Sequence, residues 1–147
     1  MKKRILRSSA ILGLFFMLAI VSVNAQTASR IEVNVPFDFS AGKATVKAGT
    51  YTVKQLSANT LAIRDLNGKT TAIVSAPLAI GSRDSKAGAR LVFNQYGDMY
   101  FLSQAWLGVD TGRQLFMSGA EKKAAREYLI ADKNAKPQRV EVAARMR

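Results

Sequence analysis

Large aromatic side chains are concentrated in residues 90–106, where they could bind a ligand. Tyr96, Tyr100 and Trp106 lie in this segment. Aromatic rings offer large, flat, amphipathic contact surfaces, so three rings on one exposed face would form a platform for sugars or an anchor for a protein partner. Aromatic residues in strands more often pack against a core, and we expect packing to be the commoner role here. The two interpretations differ in whether the rings are exposed.

Positive charge is a second feature that indicates binding. The chain has 22 Lys and Arg against 10 Asp and Glu, a formal net charge of +12. Lys122, Lys123 and Arg126 fall on one side of a predicted helix. A basic surface attracts anions over long distances, although such a row is often only the solvated side of a helix. The candidate partners are an acidic envelope polysaccharide, an anionic surface or another exported protein, and we expect no nucleic acid.

We expect no enzymatic activity, because the chain contains no His and no Cys. This composition excludes Ser–His and Cys–His nucleophile pairs, Cys/His zinc sites and iron–sulfur clusters. We also expect no metal and no cofactor. A small carbohydrate-active enzyme is the alternative, since Asp38, Asp98 and Asp110 lie beside turns or aromatic residues. Glycoside hydrolysis needs two carboxyl groups at a fixed separation, and nothing in the spacing of these residues brings them together.

The first 25 residues have the three parts of a secretory signal peptide. Residues 2–7 carry four basic side chains, residues 10–23 are mostly apolar, and small residues precede a cleavage site between Ala25 and Gln26. The alternative is a retained membrane anchor, but a spanning helix needs about 20 apolar residues and this stretch is shorter. We therefore predict an exported protein, periplasmic or extracellular.

Alternation of apolar and polar residues predicts that the mature chain is mainly β. The alternation is clearest over residues 31–39, where Pro36 indicates an edge position or a bulge. Asn67-Gly68 predicts a hairpin with a type I′ turn, and Gly97-Asp98 predicts a second hairpin with a type II′ turn. Turn signals about every ten residues are typical of an antiparallel β-sandwich or a small barrel.

One helix is predicted over Gly119–Ala131. Ser118 and Glu121 form the S-x-x-E pattern, in which Ser caps the helix and Glu reaches back to the cap. We predict a loop at 108–113, and a basic, flexible tail at 132–147 in which 140–142 could instead add a strand. The chain then divides into the signal peptide 1–25, a β-rich domain 26–131 that ends in the helix, and the tail.

The chain resembles a group of small exported proteins of soil bacteria for which no activity is known. The resemblance lies in three stretches: residues 35–39 (VPFDF), residues 48–53 (AGTYTV) and residues 91–103 (LVFNQYGDMYFLS). It covers about residues 31–130. It implies export and the extent of the domain, and it implies no site residue. The leading hypothesis is a non-enzymatic exported domain that binds or scaffolds in the envelope or outside the cell. The first alternative is binding of an anionic polymer or membrane surface through the basic helix and tail.

Overall fold

The computed structural model describes residues 29–83 and 86–147. The predicted cleavage site at Ala25 and Gln26 lies outside the described residues. Within these ranges the mainly β fold with one helix near the C-terminal side is confirmed. The elements are β1 (Arg30–Val35), β2 (Phe39–Ala41), β3 (Ala44–Val46), β4 (Gly49–Ser57), β5 (Thr60–Asp65), β6 (Thr70–Ser75), β7 (Leu78–Gly81), β8 (Arg90–Tyr96), β9 (Met99–Trp106), β10 (Thr111–Gln114), α1 (Gly119–Ala131) and β11 (Gln138–Met146).

The strands form one curved sheet that nearly closes into a barrel. Its order is β3-β2-β9-β8-β11-β1-β4-β5-β6, and the short strands β7 and β10 extend it beside β9. The two ends of this order are in contact with each other. A Cβ placed on Gly42, in the β2–β3 turn, would lie 3.5 Å from Val74 Cγ1 in β6. The pairing of β2 with β9 is parallel, so the sheet is mixed rather than purely antiparallel. Of the two predicted architectures, the barrel is the one observed.

Alternate side chains along the strands fill the barrel. Ile31, Val33 and Val35 of β1 are buried beside Val53 of β4 and Phe93 of β8. Successive residues of a strand point to opposite faces, so the residues between them face outward. The alternation read from the sequence thus predicts correctly which face of β1 lies in the core.

The alternation through residues 31–39 is divided between two strands. β1 ends at Val35, directly before Pro36, and lies between β11 and β4. Proline has no N–H to donate to a neighbouring strand, so it ends the pairing of β1. The prediction that Pro36 marks an edge strand or a bulge is therefore wrong.

Both predicted hairpins form, but one turn differs from its prediction. Gly68 has a φ of +80°, whereas no described residue other than glycine has a positive φ. Asn67 therefore cannot take part in a type I′ turn, and the Gly68 N–H donates to the Asp65 carbonyl at 3.0 Å. This is the longer hairpin loop in which glycine takes the left-handed position after an ordinary turn. Gly97, with a φ of +61°, agrees with the predicted type II′ turn.

Two segments predicted to lack regular structure are paired strands. β10 occupies part of the predicted loop 108–113 and pairs with β7 and β9. β11 occupies most of the predicted flexible tail and lies between β1 and β8, so that prediction is wrong for Gln138–Met146. Val140, Val142 and Ala144 of β11 pack against the core. Burial of one face, with the polar residues facing outward, is the physical reason that this basic segment is ordered.

Candidate binding site

The aromatic residues predicted to bind a ligand do not share a surface. Tyr96 is buried beneath α1, where its ring centroid lies 5.9 Å from that of Phe101 and 6.0 Å from that of Tyr128. Trp106 is buried elsewhere, and the guanidinium carbon of Arg90 lies 4.3 Å from its ring centroid. Packing accounts for both residues, and the predicted three-ring platform is absent.

Tyr100 remains partly accessible, and it lines a cavity. Its ring stacks on Phe37 with centroids 3.9 Å apart and planes inclined by 15°. The cavity has a volume of about 420 Å³ and lies between the β8–β9 turn, strands β2 and β3, and α1. We call it the hairpin–helix cavity. Its lining consists of Asp38, Phe39, Ser40, Thr45, Asp98, Met99, Tyr100, Phe101, Ala120, Lys123, Ala124 and Glu127.

The hairpin–helix cavity combines aromatic and apolar surface with several carboxylates. Phe39 and Phe101 are buried, whereas Asp38, Asp98 and Glu127 are exposed. Apolar surface with a few convergent polar groups is typical of small-ligand sites. Carboxylates accept hydrogen bonds from ligand hydroxyl or amino groups. The cavity is therefore suited to a ligand that has an apolar face and several hydroxyl groups.

Asp38 is held in place by two hydrogen bonds. Lys47 Nζ lies 2.9 Å from Asp38 Oδ2, and the backbone N–H of Ala48 donates to Asp38 Oδ1 at 2.8 Å. The hydrogen bond from Lys47 is the main cause that lowers the pKa of the Asp38 carboxyl, and the Ala48 N–H acts in the same direction. The same pairing raises the pKa of Lys47. Asp38 thus contributes an oriented, ionised carboxylate to the cavity.

The helix that forms one wall is fixed by Ser118 and Glu121. The Glu121 N–H donates to Ser118 Oγ at 3.1 Å, which confirms the predicted cap. The Glu121 side chain is buried and accepts hydrogen bonds from Asn94 Nδ2 at 2.8 Å and from the Tyr96 hydroxyl at 3.4 Å. The predicted contact back to the cap is therefore replaced by a connection to β8, which holds α1 against the sheet and places Lys123 at the cavity.

The predicted basic residues of α1 do not act as one group at this site. Lys122, Lys123 and Arg126 are all exposed. Lys123 lines the hairpin–helix cavity, and its Nζ lies 3.9 Å from Glu127 Oε1. Lys122 and Arg126 do not line the cavity.

The structure brings together two of the three acidic residues considered from the sequence. Asp38 and Asp98 both line the hairpin–helix cavity. Asp110 does not, and its backbone carbonyl accepts a hydrogen bond from the Ser82 N–H at 3.0 Å. Sequence reasoning missed this convergence because it depends on the parallel contact between β2 and β9, at Ser40 and Phe101, for which no local sequence signal exists. Glu127 was missed for a related reason, since its place depends on how α1 docks. Within the described ranges no group of acidic residues has the arrangement of a metal site.

A second cavity, of about 540 Å³, lies between the β2–β3 turn, β6 and the segment that precedes α1. Ile73 and Phe116 line it and are largely exposed. Lys43 is the only charged side chain among the residues that line it. This cavity lacks convergent polar groups, so the hairpin–helix cavity is the better candidate for a specific ligand.

No family model, no curated protein and no solved structure matches this chain. The resemblance to the group of small exported proteins therefore rests on residues 35–39, 48–53 and 91–103 alone. No helix in the described part of the chain has the length and apolar character needed to span a membrane.

Proposed function

We propose that this protein is a non-enzymatic, exported domain that binds a neutral, hydroxyl-rich ligand, such as a sugar unit of an envelope or extracellular glycan, in the hairpin–helix cavity. The observation that carries the proposal is the convergence of Tyr100 with Asp38, Asp98 and Glu127 on one cavity of about 420 Å³. The apolar face of a sugar ring fits against an aromatic ring, and its hydroxyl groups donate to carboxylates. Export is supported by the signal-like pattern of residues 1–25.

The state of Asp38 suits it to accept a hydrogen bond from a ligand better than to act as the general acid of a glycosidase. Glycoside hydrolysis uses two carboxyl groups, one of which must be protonated to act as the general acid. The bond from Lys47 lowers the pKa of Asp38, which is opposite to the shift that a general acid needs. The absence of His from the sequence removes the other common general acid. Binding a ligand hydroxyl group through an ionised carboxylate requires no general acid.

The test is calorimetric titration of the purified protein with a panel of neutral oligosaccharides that includes cellohexaose and chitohexaose. We expect Tyr100→Ala to weaken binding about fivefold, the effect of losing roughly 1 kcal/mol of aromatic contact. Phe116→Ala is the matched control, because Phe116 is an exposed aromatic residue outside this cavity. Equal binding by both variants, or no binding to any member of the panel, would contradict the proposed site.

The same oligosaccharides distinguish binding from catalysis. We expect no shorter products when the protein is incubated with them and the mixture is analysed by mass spectrometry. Asp98→Asn is expected to weaken binding, because it replaces a carboxylate of the cavity by a neutral amide. Product formation by the parent protein that Asp98→Asn abolishes would show that the protein is a glycosidase and would overturn the proposal.

A further inference from the structure

A group of basic residues lies on the outer surface of the barrel, away from the hairpin–helix cavity. These residues are Arg30, Lys54, Arg64, Arg145 and Arg147, and we call them the basic sheet face. They come from β1, β4, β5 and β11 and from the residue directly after β11, and these strands are neighbours in the sheet. Arg145 and Arg147 belong to the basic tail that the sequence suggests as an anion-binding segment, whereas Arg30, Lys54 and Arg64 carry no such signal because they lie far from it along the chain.

The strand register brings the basic residues together. Arg30 pairs with Lys54, and the Arg147 N–H donates to the Arg30 carbonyl at 2.9 Å. In the adjacent row, Glu32 pairs with Arg145 on one side and with Thr52 on the other, and Thr52 pairs with Arg64. Paired residues on neighbouring strands are about 5 Å apart and point to the same face. The five basic side chains therefore emerge from two adjacent rows.

The acidic residues nearby, Glu32 and Asp65, offset only part of the positive charge of this surface. Glu32 Oε2 lies 2.8 Å from Arg147 Nη2, and Asp65 Oδ1 accepts a hydrogen bond from the Lys69 N–H at 2.9 Å. Arg30, Lys54, Arg64 and Arg145 form no salt bridge with any residue that the structure describes. Several unpaired cations at close range attract anions and repel other cations. The face is thus complementary to a ligand with more than one negative charge.

Part of the positive charge of the basic sheet face lies in a cleft. It has a volume of about 340 Å³, and its lining combines four basic residues and two acidic ones with Thr52, Leu66 and Gly68: Arg30, Lys54, Arg64, Arg147, Glu32 and Asp65. Lys54 and Arg64 are half-buried, and Arg64 Nε is buried with no hydrogen-bond partner among the described residues. Carboxylate and phosphate oxygens are the acceptors that guanidinium groups bind most strongly, and the guanidinium of Arg64 can offer a ligand only the N–H groups that the cleft leaves accessible.

The shape of the cleft favours an acidic polymer over an anionic membrane as the partner. A membrane is a flat surface, and proteins that bind it by charge usually insert apolar side chains beside the cations. In this cleft the large apolar residue is Leu66, and the remaining lining is basic, acidic, Thr52 or Gly68. The charged groups of a polymer can enter a cleft that a bilayer cannot. We propose that the basic sheet face binds an acidic polysaccharide, with a carboxylate of the polymer in the cleft at Lys54 and Arg64.

The test is binding of polygalacturonate, a carboxylate polymer, to the purified protein, measured by fluorescence anisotropy of labelled polymer. We expect Lys54→Gln combined with Arg64→Gln to raise the Kd roughly tenfold or more, because two charge-assisted contacts are lost. We also expect binding by the parent protein to weaken clearly between about 50 mM and about 200 mM NaCl, since salt screens exposed charges.

The matched control carries the same change of charge on α1, as Lys122→Gln combined with Arg126→Gln. We expect this control to bind within about twofold of the parent, because screening over a Debye length of roughly 10 Å limits distant charges. If the double variant in the cleft does not fold, Arg145→Gln replaces it, because Arg145 is exposed; a weaker but measurable loss is expected. An equal loss in the helix control would move the site to α1 and overturn the proposal.

Phosphatidylglycerol vesicles and inorganic phosphate identify the source of the anion. Binding to the vesicles with no binding to polygalacturonate would overturn the polysaccharide assignment in favour of a membrane. Binding to inorganic phosphate alone would likewise overturn it in favour of a small-anion site. The inference is independent of the neutral ligand proposed for the hairpin–helix cavity, so Tyr100→Ala is expected to leave polygalacturonate binding unchanged.

Discussion

Tyr96 and Glu121 place a phenol and a carboxylate together beneath α1. The Tyr96 hydroxyl lies 3.4 Å from Glu121 Oε1, and both side chains are buried. Burial is the main cause that raises the pKa of Tyr96, and the negative charge of Glu121 raises it further. Ionisation of Tyr96 would therefore put a second negative charge next to a buried carboxylate.

We expect this pair to make the fold sensitive to alkali. The folded protein holds the Tyr96 proton more tightly than the unfolded chain does, so the stabilisation from this proton is complete below the ordinary pKa of 10.0 and is lost as the pH rises through the higher folded value. The melting temperature should then fall between about pH 9 and about pH 12. Tyr96→Phe has no proton to lose at this position, and its melting temperature should fall less steeply over the same range.

The measurement is thermal unfolding followed by circular dichroism at several pH values. Tyr100→Phe is the control, because Tyr100 is half-buried and lies in a different environment, stacked on Phe37. Parallel curves of melting temperature against pH for the parent and Tyr96→Phe would contradict the role of Tyr96.

The contact between β9 and β10 depends on a missing side chain. Gly112 of β10 pairs with Trp106 of β9, and a Cβ placed on Gly112 would lie 2.7 Å from Trp106 Cδ2. The Trp106 ring is buried, and Arg90 covers it. The ring therefore has little room to move away from a larger residue.

We expect Gly112→Ala to destabilise the protein by roughly 1–3 kcal/mol, the usual effect of overpacking a filled site. Gly119→Ala is the matched control, since a Cβ on Gly119, the first residue of α1, meets no atom within 4 Å. Urea unfolding followed by tryptophan fluorescence measures both. Equal stability of Gly112→Ala and the parent would show that the Trp106 ring is free to shift.

Elements whose signals are local could be predicted from the sequence, and those that depend on distant pairing could not. The second hairpin is encoded by Gly97-Asp98 between two apolar runs, and α1 is encoded by its Ser118 cap and helical spacing. β10 contains Gly112 and polar residues, so its sequence does not indicate a strand. β11 is similarly ambiguous, because its inward-facing residues are small or β-branched and charged residues alternate with them.

The candidate sites were less predictable than the elements. Tyr100 and Lys123 were identified from the sequence and line the hairpin–helix cavity, but Tyr96 and Trp106 were identified with them and are buried. The residue types alone cannot separate these cases, because the face on which a strand residue lies depends on register. The register of β8 and β9 shifts at an irregularity between Val92 and Phe93. Beyond this point the side chains no longer follow the alternation of inward-facing and outward-facing residues that the sequence pattern predicts.

For the molecule as a whole, β11 provides the closure of the barrel between β1 and β8. Val142 of β11 pairs with Leu91 of β8 and packs against the core, whereas the next residue, Ala143, is exposed on the outer face. Without β11, two strands would expose unpaired N–H and C=O groups, which promotes association between molecules.

We expect Val142→Asp to destabilise the protein by about 2 kcal/mol or more, because it places a charge against the core without a partner. Ala143→Asp is the control and is expected to change the stability by less than about 0.5 kcal/mol. Urea unfolding measures the stability, and light scattering measures association. A similar stability for both variants would indicate that β11 contributes little to the barrel.

The position of β11 also sets the order of events during biosynthesis. β11 is the last of the described strands to be synthesised, and it pairs with the first, at Ile31 and Met146. Contacts between residues so distant in sequence slow folding, because the intervening chain must be ordered before they form. A nascent chain that has not yet released residue 146 from the ribosome cannot complete its barrel. The barrel therefore stays open until all of β11 has been synthesised, whichever of the other strands have already paired.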